Sequence, residues 1–210
     1  MRTAALVALL ASAALPSHAA QIEVNQSNVT IDGDIELNDF ETFRSKTAFL
    51  NKAVVILKSD GGKLLPAIWI GELVRARRFV TYVQDRCESA CGLIWLAGSL
   101  RFRTSTSLIG FHSSYDGRTG NALSLGNDVA GAYLAGLGLS SQAIEFVMSV
   151  DPADMIYMTP NDAKRLGIEL TITDPPAVTN KPRTAAKDAG LVADKCQNYP
   201  RYVWICPSGR

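Results

Sequence analysis

Ser89 and His112 are the two residues of this chain whose types and settings suit nucleophilic chemistry. A serine hydroxyl becomes a strong nucleophile when a base takes its proton, and a neutral imidazole is the usual base near neutral pH. Ser89 lies in the run Cys87-Glu88-Ser89-Ala90-Cys91-Gly92, where a predicted strand hands over to a short apolar helix. Unpaired backbone N–H groups at such a junction can face a developing anion. Capping the helix is the commoner role of a serine there. Gly61-Gly62 follows another predicted buried strand, and glycines let the chain adopt shapes closed to other residues and let a substrate approach its N–H groups. An ordinary turn would carry them as well. His112 closes a predicted strand over 107–111, at the sheet edge where α/β proteins hold ligands. A hydrogen-bonded structural histidine is the plainer alternative.

The other histidine, His18, belongs to an N-terminal segment with the marks of a secretory signal: Arg2, an apolar run over 4–15, then Pro16-Ser17-His18-Ala19-Ala20. Small residues at Ser17 and Ala19 favour cleavage after Ala19, with Ala20 the second choice. The run is too short to cross a bilayer, no later stretch is long enough, and no cysteine follows the signal, so no stable membrane anchor is expected. Removal of 1–19 makes His112 the sole imidazole and leaves about 190 residues, enough for one well-buried domain. The chain has 21 basic and 20 acidic residues, and loss of Arg2 brings the two into balance. Nothing in that balance calls for nucleic acid or an anionic membrane.

The elements that must position these residues alternate in type. Residues 22–37 read as an edge hairpin or entering strand around Asp32-Gly33-Asp34, and 39–51 as a helix with Phe40, Phe43, Thr47 and Leu50 on one face. The apolar run 53–57 is a buried strand. A helix over 64–78, a strand over 79–83, a short buried helix over 93–97 and strands at 101–103 and 107–111 follow. Helices over 126–137 and 140–150 come next, the second capped by Ser140. A further helix starts at Thr159-Pro160 and leads through Leu166-Gly167 to a strand over 168–172. This alternation is the mark of an α/β domain with crossover connections. Residues 174–195 are rich in proline and alanine and read as a linker, and 196–210 as a short aromatic hairpin.

Four cysteines in an exported chain suggest disulfides, and three pairings are open. Cys87 with Cys91 and Cys196 with Cys206 are preferred as the pairs close in sequence. Zinc is disfavoured, since the Cys-x3-Cys spacing has no histidine beside it, and no metal or other cofactor is expected.

Taken together, the motifs over about 29–172 resemble the Clp protease proteolytic subunits of the Clp protease/crotonase superfamily. Ser59-Asp60-Gly61-Gly62 is similar to that family's Ser-Pro-Gly-Gly oxyanion turn, with Asp60 in place of proline. Ser89-Ala90 is similar to its nucleophile and following small residue, Ile109-Gly110-Phe111-His112 to its histidine strand, and Thr159-Pro160-Asn161-Asp162-Ala163 with Leu166-Gly167-Ile168 to its closing segment.

The resemblance implies an α/β fold of repeated ββα units over 20–173, to which the preferred Cys196–Cys206 pairing adds a short disulfide-stapled C-terminal extension. It implies Ser89 as nucleophile, His112 as general base, and Ala90 with Gly61 or Gly62 as oxyanion donors. The family's third residue is an aspartate before the closing segment; Met155 falls on that place, so neighbouring Asp154 is chosen over Asp151. A peptide or acyl substrate and self-association into a homo-oligomer are implied too. Two departures matter: export to a compartment without ATP implies action without an ATPase, and cysteines flanking the serine are unlike the intracellular enzymes. A catalytically inactive binding or assembly protein on the same fold is the main alternative. A coenzyme A enzyme ranks last, because that cofactor is not expected outside the cytoplasm.

Overall fold

The structure, a computed structural model, describes residues 19–174 and the backbone of 197–199 and 203–205. The chain opens with a hairpin of β1 (Gln21–Asn25) and β2 (Asn28–Asp32), paired antiparallel with Val24 opposite Val29. Its reversal lies at Gln26, which takes a left-handed φ of 57°, and not at Asp32-Gly33-Asp34. Gly33 instead lets the chain leave β2 beside the following strand, its N–H donating to the Lys58 carbonyl.

Helix α1 (Asp39–Lys46) is shorter than the 39–51 its apolar spacing predicts. The apolar face continues past its end: Phe43 and Thr47 are fully buried, but Thr47 ends the helix. Its hydroxyl bonds back to the Phe43 carbonyl and its own carbonyl accepts from Arg77. Such local side-chain bonds compete with helix propagation.

Three consecutive units build the centre. β3 (Val54–Ser59) leads to α2 (Leu64–Ala76), β4 (Val80–Glu88) leads to α3 (Ala90–Leu96), and β5 (Arg101–Arg103) and β6 (Leu108–Phe111) follow. Every residue of α3 is buried, and Trp95 satisfies its indole N–H on the Phe102 carbonyl. A short helix survives here because packing, not propensity, supports it. Then come α4 (Ser124–Gly136), α5 (Ser141–Met148) capped by the Ser140 hydroxyl, β7 (Ile156–Tyr157), α6 (Pro160–Arg165) and β8 (Thr171–Ile172). Thr159 and Asp162 form a reciprocal capping box at the start of α6, with Pro160 in its first turn. The strand predicted over 168–172 is thus confined to its last two residues.

The eight strands β1–β8 form one mixed sheet with the order β1-β2-β3-β4-β5-β8, while β6 pairs with β4 and β7. The pairs β2/β3, β3/β4, β4/β5 and β4/β6 are parallel. β4 runs five residues beyond the predicted 79–83, because it changes partner midway: residues 81–83 pair with β5 and residues 86–88 with β6. Its register with β3 shifts in step, Leu57 facing Val83 but Ser59 facing Cys87. One main apolar core joins β1–β4 and β6 to the helices.

β9 (Gln197–Tyr199) and β10 (Val203–Ile205) pair antiparallel as a separate ribbon. Residues 1–18, most of the linker predicted over 174–195, and Cys196 and Cys206 with their predicted bridge lie outside the described residues. Among the described residues no helix is long and apolar enough to cross a membrane.

Candidate active site

The second half of β4 and the whole of β6 run parallel with Glu88 opposite Gly110. Ser89 follows the end of one strand and His112 the end of its neighbour, so both emerge at the same edge of the sheet. They line a single cleft of about 210 Å³ together with Gly62, Lys63, Leu64, Ala90, Leu93, Phe111, Ser114, Tyr115, Val147 and Met148, among others. Both residues are half-buried.

Ser89 is not a helix cap. Its side chain makes no capping bond, and its backbone sits at φ 52° and ψ −124°, far from the extended shape of ordinary caps. For a residue with a Cβ this conformation costs about 1–3 kcal/mol, and hydrolytic serines on sharp strand-to-helix turns adopt it to present their hydroxyl. Several contacts hold it in place. The Ser89 N–H donates to the Gly110 carbonyl at 2.9 Å. A disulfide joins Cys87 at the end of β4 to Cys91 in α3, spanning Ser89 with both sulfurs fully buried. Gly61 packs against it so closely that a Cβ there would stand 2.7 Å from the Ser89 Cβ.

The turn 59–62 supplies the other wall. The Gly61 N–H donates to the Ser59 hydroxyl at 3.1 Å, so it is consumed inside the turn and does not serve as an anion donor. Of the two predicted glycines, only Gly62 has a free N–H. The Ile35 N–H donates to the Gly61 carbonyl and the Lys63 N–H to the Ile35 carbonyl, both at 2.7 Å, which uses the groups on either side of Gly62 and turns its own N–H away from Ile35. With φ at +127° and an added Cβ only 2.2 Å from the Ile35 oxygen, this position admits glycine alone. The Ala90 N–H is the second unused donor: among the described residues neither it nor the Gly62 N–H makes a hydrogen bond.

The His112 Nδ1 lies 2.7 Å from the Ser113 carbonyl oxygen. A carbonyl only accepts, so Nδ1 carries the proton and Nε2 is left with the lone pair, the tautomer a general base requires. The Ser113 N–H in turn donates to the Val150 carbonyl, tying this segment to the end of α5. No hydrogen bond joins His112 to Ser89 in this structure. Such contacts are often long before substrate is bound.

Asp154 makes no hydrogen bond or ion pair with the imidazole. It is exposed in a turn closed by its own N–H on the Asp151 carbonyl, and Met155, lying against Gly110, fills the space beside the histidine strand. Asp151 is exposed too. The orienting group of His112 is therefore a backbone carbonyl, which no residue type in the sequence could reveal. Lys63 and Tyr115 were also not anticipated. Lys63 follows the glycine turn directly, and the Tyr115 ring lies 5.6 Å from the imidazole. Among the described residues no cluster of three histidine, cysteine or acidic side chains could hold a metal.

Beside this geometry stand the comparisons with known proteins: no family model matches the chain, and no curated protein matches it closely.

Proposed function

We propose that this protein is an exported, ATP-independent serine hydrolase of the Clp protease/crotonase type, cleaving peptide or other acyl bonds. The observation that carries the reading is the convergence on one cleft of a strained serine and two unbonded N–H groups. In the proposed reaction the Ser89 Oγ attacks the substrate carbonyl carbon while the His112 Nε2 takes the hydroxyl proton. The carbonyl oxygen becomes an anion held by the Gly62 and Ala90 N–H groups. Collapse of the tetrahedral species expels the amine or alcohol, protonated by the imidazolium, and leaves an acyl ester on Ser89. Water activated by the same imidazole then releases the acid. Leu64, Leu93, Val147 and Met148 make the walls apolar and suit an apolar group beside the scissile carbonyl. The buried disulfide fits an oxidising compartment, in keeping with the signal-like N-terminus.

A fluorophosphonate probe should label the mature protein on Ser89, and Ser89→Ala or His112→Ala should each abolish labelling. Equal labelling of all three proteins would remove the site from Ser89. A well-folded wild type that is never labelled would favour the binding or assembly reading. Among the described residues, the missing Ser89–His112 bond and the lack of any carboxylate bonded to the imidazole are the observations on that side.

A further inference from the structure

Asp39, at the first turn of α1, is a buried carboxylate with only 3% of its surface exposed. Its Oδ2 accepts the Glu36 N–H at 2.7 Å and the Ala20 N–H at 3.2 Å, and among the described residues no cation pairs with it. Those two amides and the start of the helix stabilise part of this carboxylate's charge, but among the described residues no full positive charge balances it. The nitrogen at 3.2 Å is also the one that cleavage after Ala19 would set free. Ser17 and Ala19 are the small residues that mark that bond.

We propose that Asp39 is the receptor for the mature amino terminus: once the segment before Ala20 is removed, the Ala20 α-ammonium forms a buried ion pair with Asp39. Hydrolysis of the Ala19–Ala20 peptide consumes one water, leaves the carboxylate on Ala19 and frees the amine of Ala20. That amine is mostly protonated at neutral pH, since α-amino groups titrate near pH 8. The ammonium has three donors where the amide had one, so it can satisfy Asp39 and place the absent positive charge in a site that is already formed. Ala20 itself is only 8% exposed, and β1 begins at the next residue, which holds the terminus in place.

The docked terminus also reaches toward the cleft. The oxygen that receives it holds the Glu36 N–H, and Ile35, one residue earlier, is the clamp on both sides of Gly62. Cleavage and the glycine turn are thus joined through a short run of directly bonded groups.

The inference rests on the export reading but not on the hydrolase reading, because its test does not use Ser89. The full-length gene product would be exported, purified and weighed intact, and its melting temperature compared with that of a chain carrying one serine inserted between Ala19 and Ala20. The same pair would be made with Asp39→Asn, and mature wild type would also be acetylated at its α-amino group. We expect a mass that begins at Ala20 and a fall of about 5 °C or more on insertion or acetylation, a size consistent with a chain of this length. Insertion should cause no further fall in the Asp39→Asn background. If Asp39→Asn does not fold, the acetylated wild type carries the comparison. A terminus at Ala20 with unchanged melting on insertion and acetylation overturns the ion pair alone. Equal falls on insertion in the wild-type and Asp39→Asn backgrounds also overturn it, and a mass retaining residues 1–19 overturns the export reading.

Discussion

On the Ser89 side of the cleft the backbone is held by a buried disulfide, a glycine packed against the serine and the bond from Ser89 to Gly110. On the His112 side, the chain runs from Ser113 into an exposed loop, in which Tyr115 is 47% exposed and the positions of Gly117 and Gly120 meet nothing within 4 Å. The contrast separates what must be fixed in advance from what can adjust. A nucleophile and its oxyanion donors gain most from preorganisation, because charge develops there in the transition state. An imidazole has to approach, take a proton and return it, so a base on a more open segment is compatible with the same chemistry. An open segment of this kind also fits the lack of a Ser89–His112 hydrogen bond.

The sharpest way to break the rigid half is Gly62→Ala. The new methyl would stand 2.2 Å from the Ile35 carbonyl oxygen at a φ that disfavours any side chain. Relief requires the Ile35 segment or the turn to move, so we expect a loss of about 3 kcal/mol or more in urea unfolding, together with loss of Ser89 labelling. Wild-type unfolding and wild-type labelling in this variant would refute the clamp. Replacing Cys87 and Cys91 together by alanine should have a smaller effect. Chain entropy for so short a loop predicts a loss of about 2 kcal/mol. That corresponds to a fall in melting temperature of about 4–8 °C. Labelling should slow with it as the strained Ser89 turn relaxes. Labelling that stays unchanged while melting falls would mean that the Gly61 contact, and not the disulfide, holds the nucleophile.

The rigid half was also the more legible half in the sequence. Gly61-Gly62, Ser89 with its flanking cysteines and the apolar runs around them are local signals, although Ile35 and Gly110 complete their geometry. Legibility failed where a tertiary partner decides. Gln84-Asp85-Arg86 falls beyond the strand predicted over 79–83, yet these exposed residues continue β4 because the strand exchanges β5 for β6. β7 is too short to have a period of its own and forms only against Gly110 and Phe111. Which glycine keeps a free N–H depends on the Ser59 hydroxyl and on Ile35 from another segment, bonds that hydrophobic pattern cannot express. Asp39 resembles any acidic residue opening a helix, and only its burial against Ala20 marks it out.

The most discriminating result on the open half is an effect close to zero. Where a carboxylate sets the tautomer of a catalytic imidazole, its amide replacement lowers kcat by about 10⁴-fold. Here Nδ1 faces the Ser113 carbonyl, which accepts its hydrogen bond whatever residue stands at 154. Asp154→Asn should therefore change the rate of Ser89 labelling by less than about twofold, since an exposed residue in a turn also contributes little to stability. A drop of two orders of magnitude or more would show that the loop closes on substrate to bring a carboxylate to the imidazole. The open half would then be a moving part of the site, with its working geometry formed only when substrate is bound.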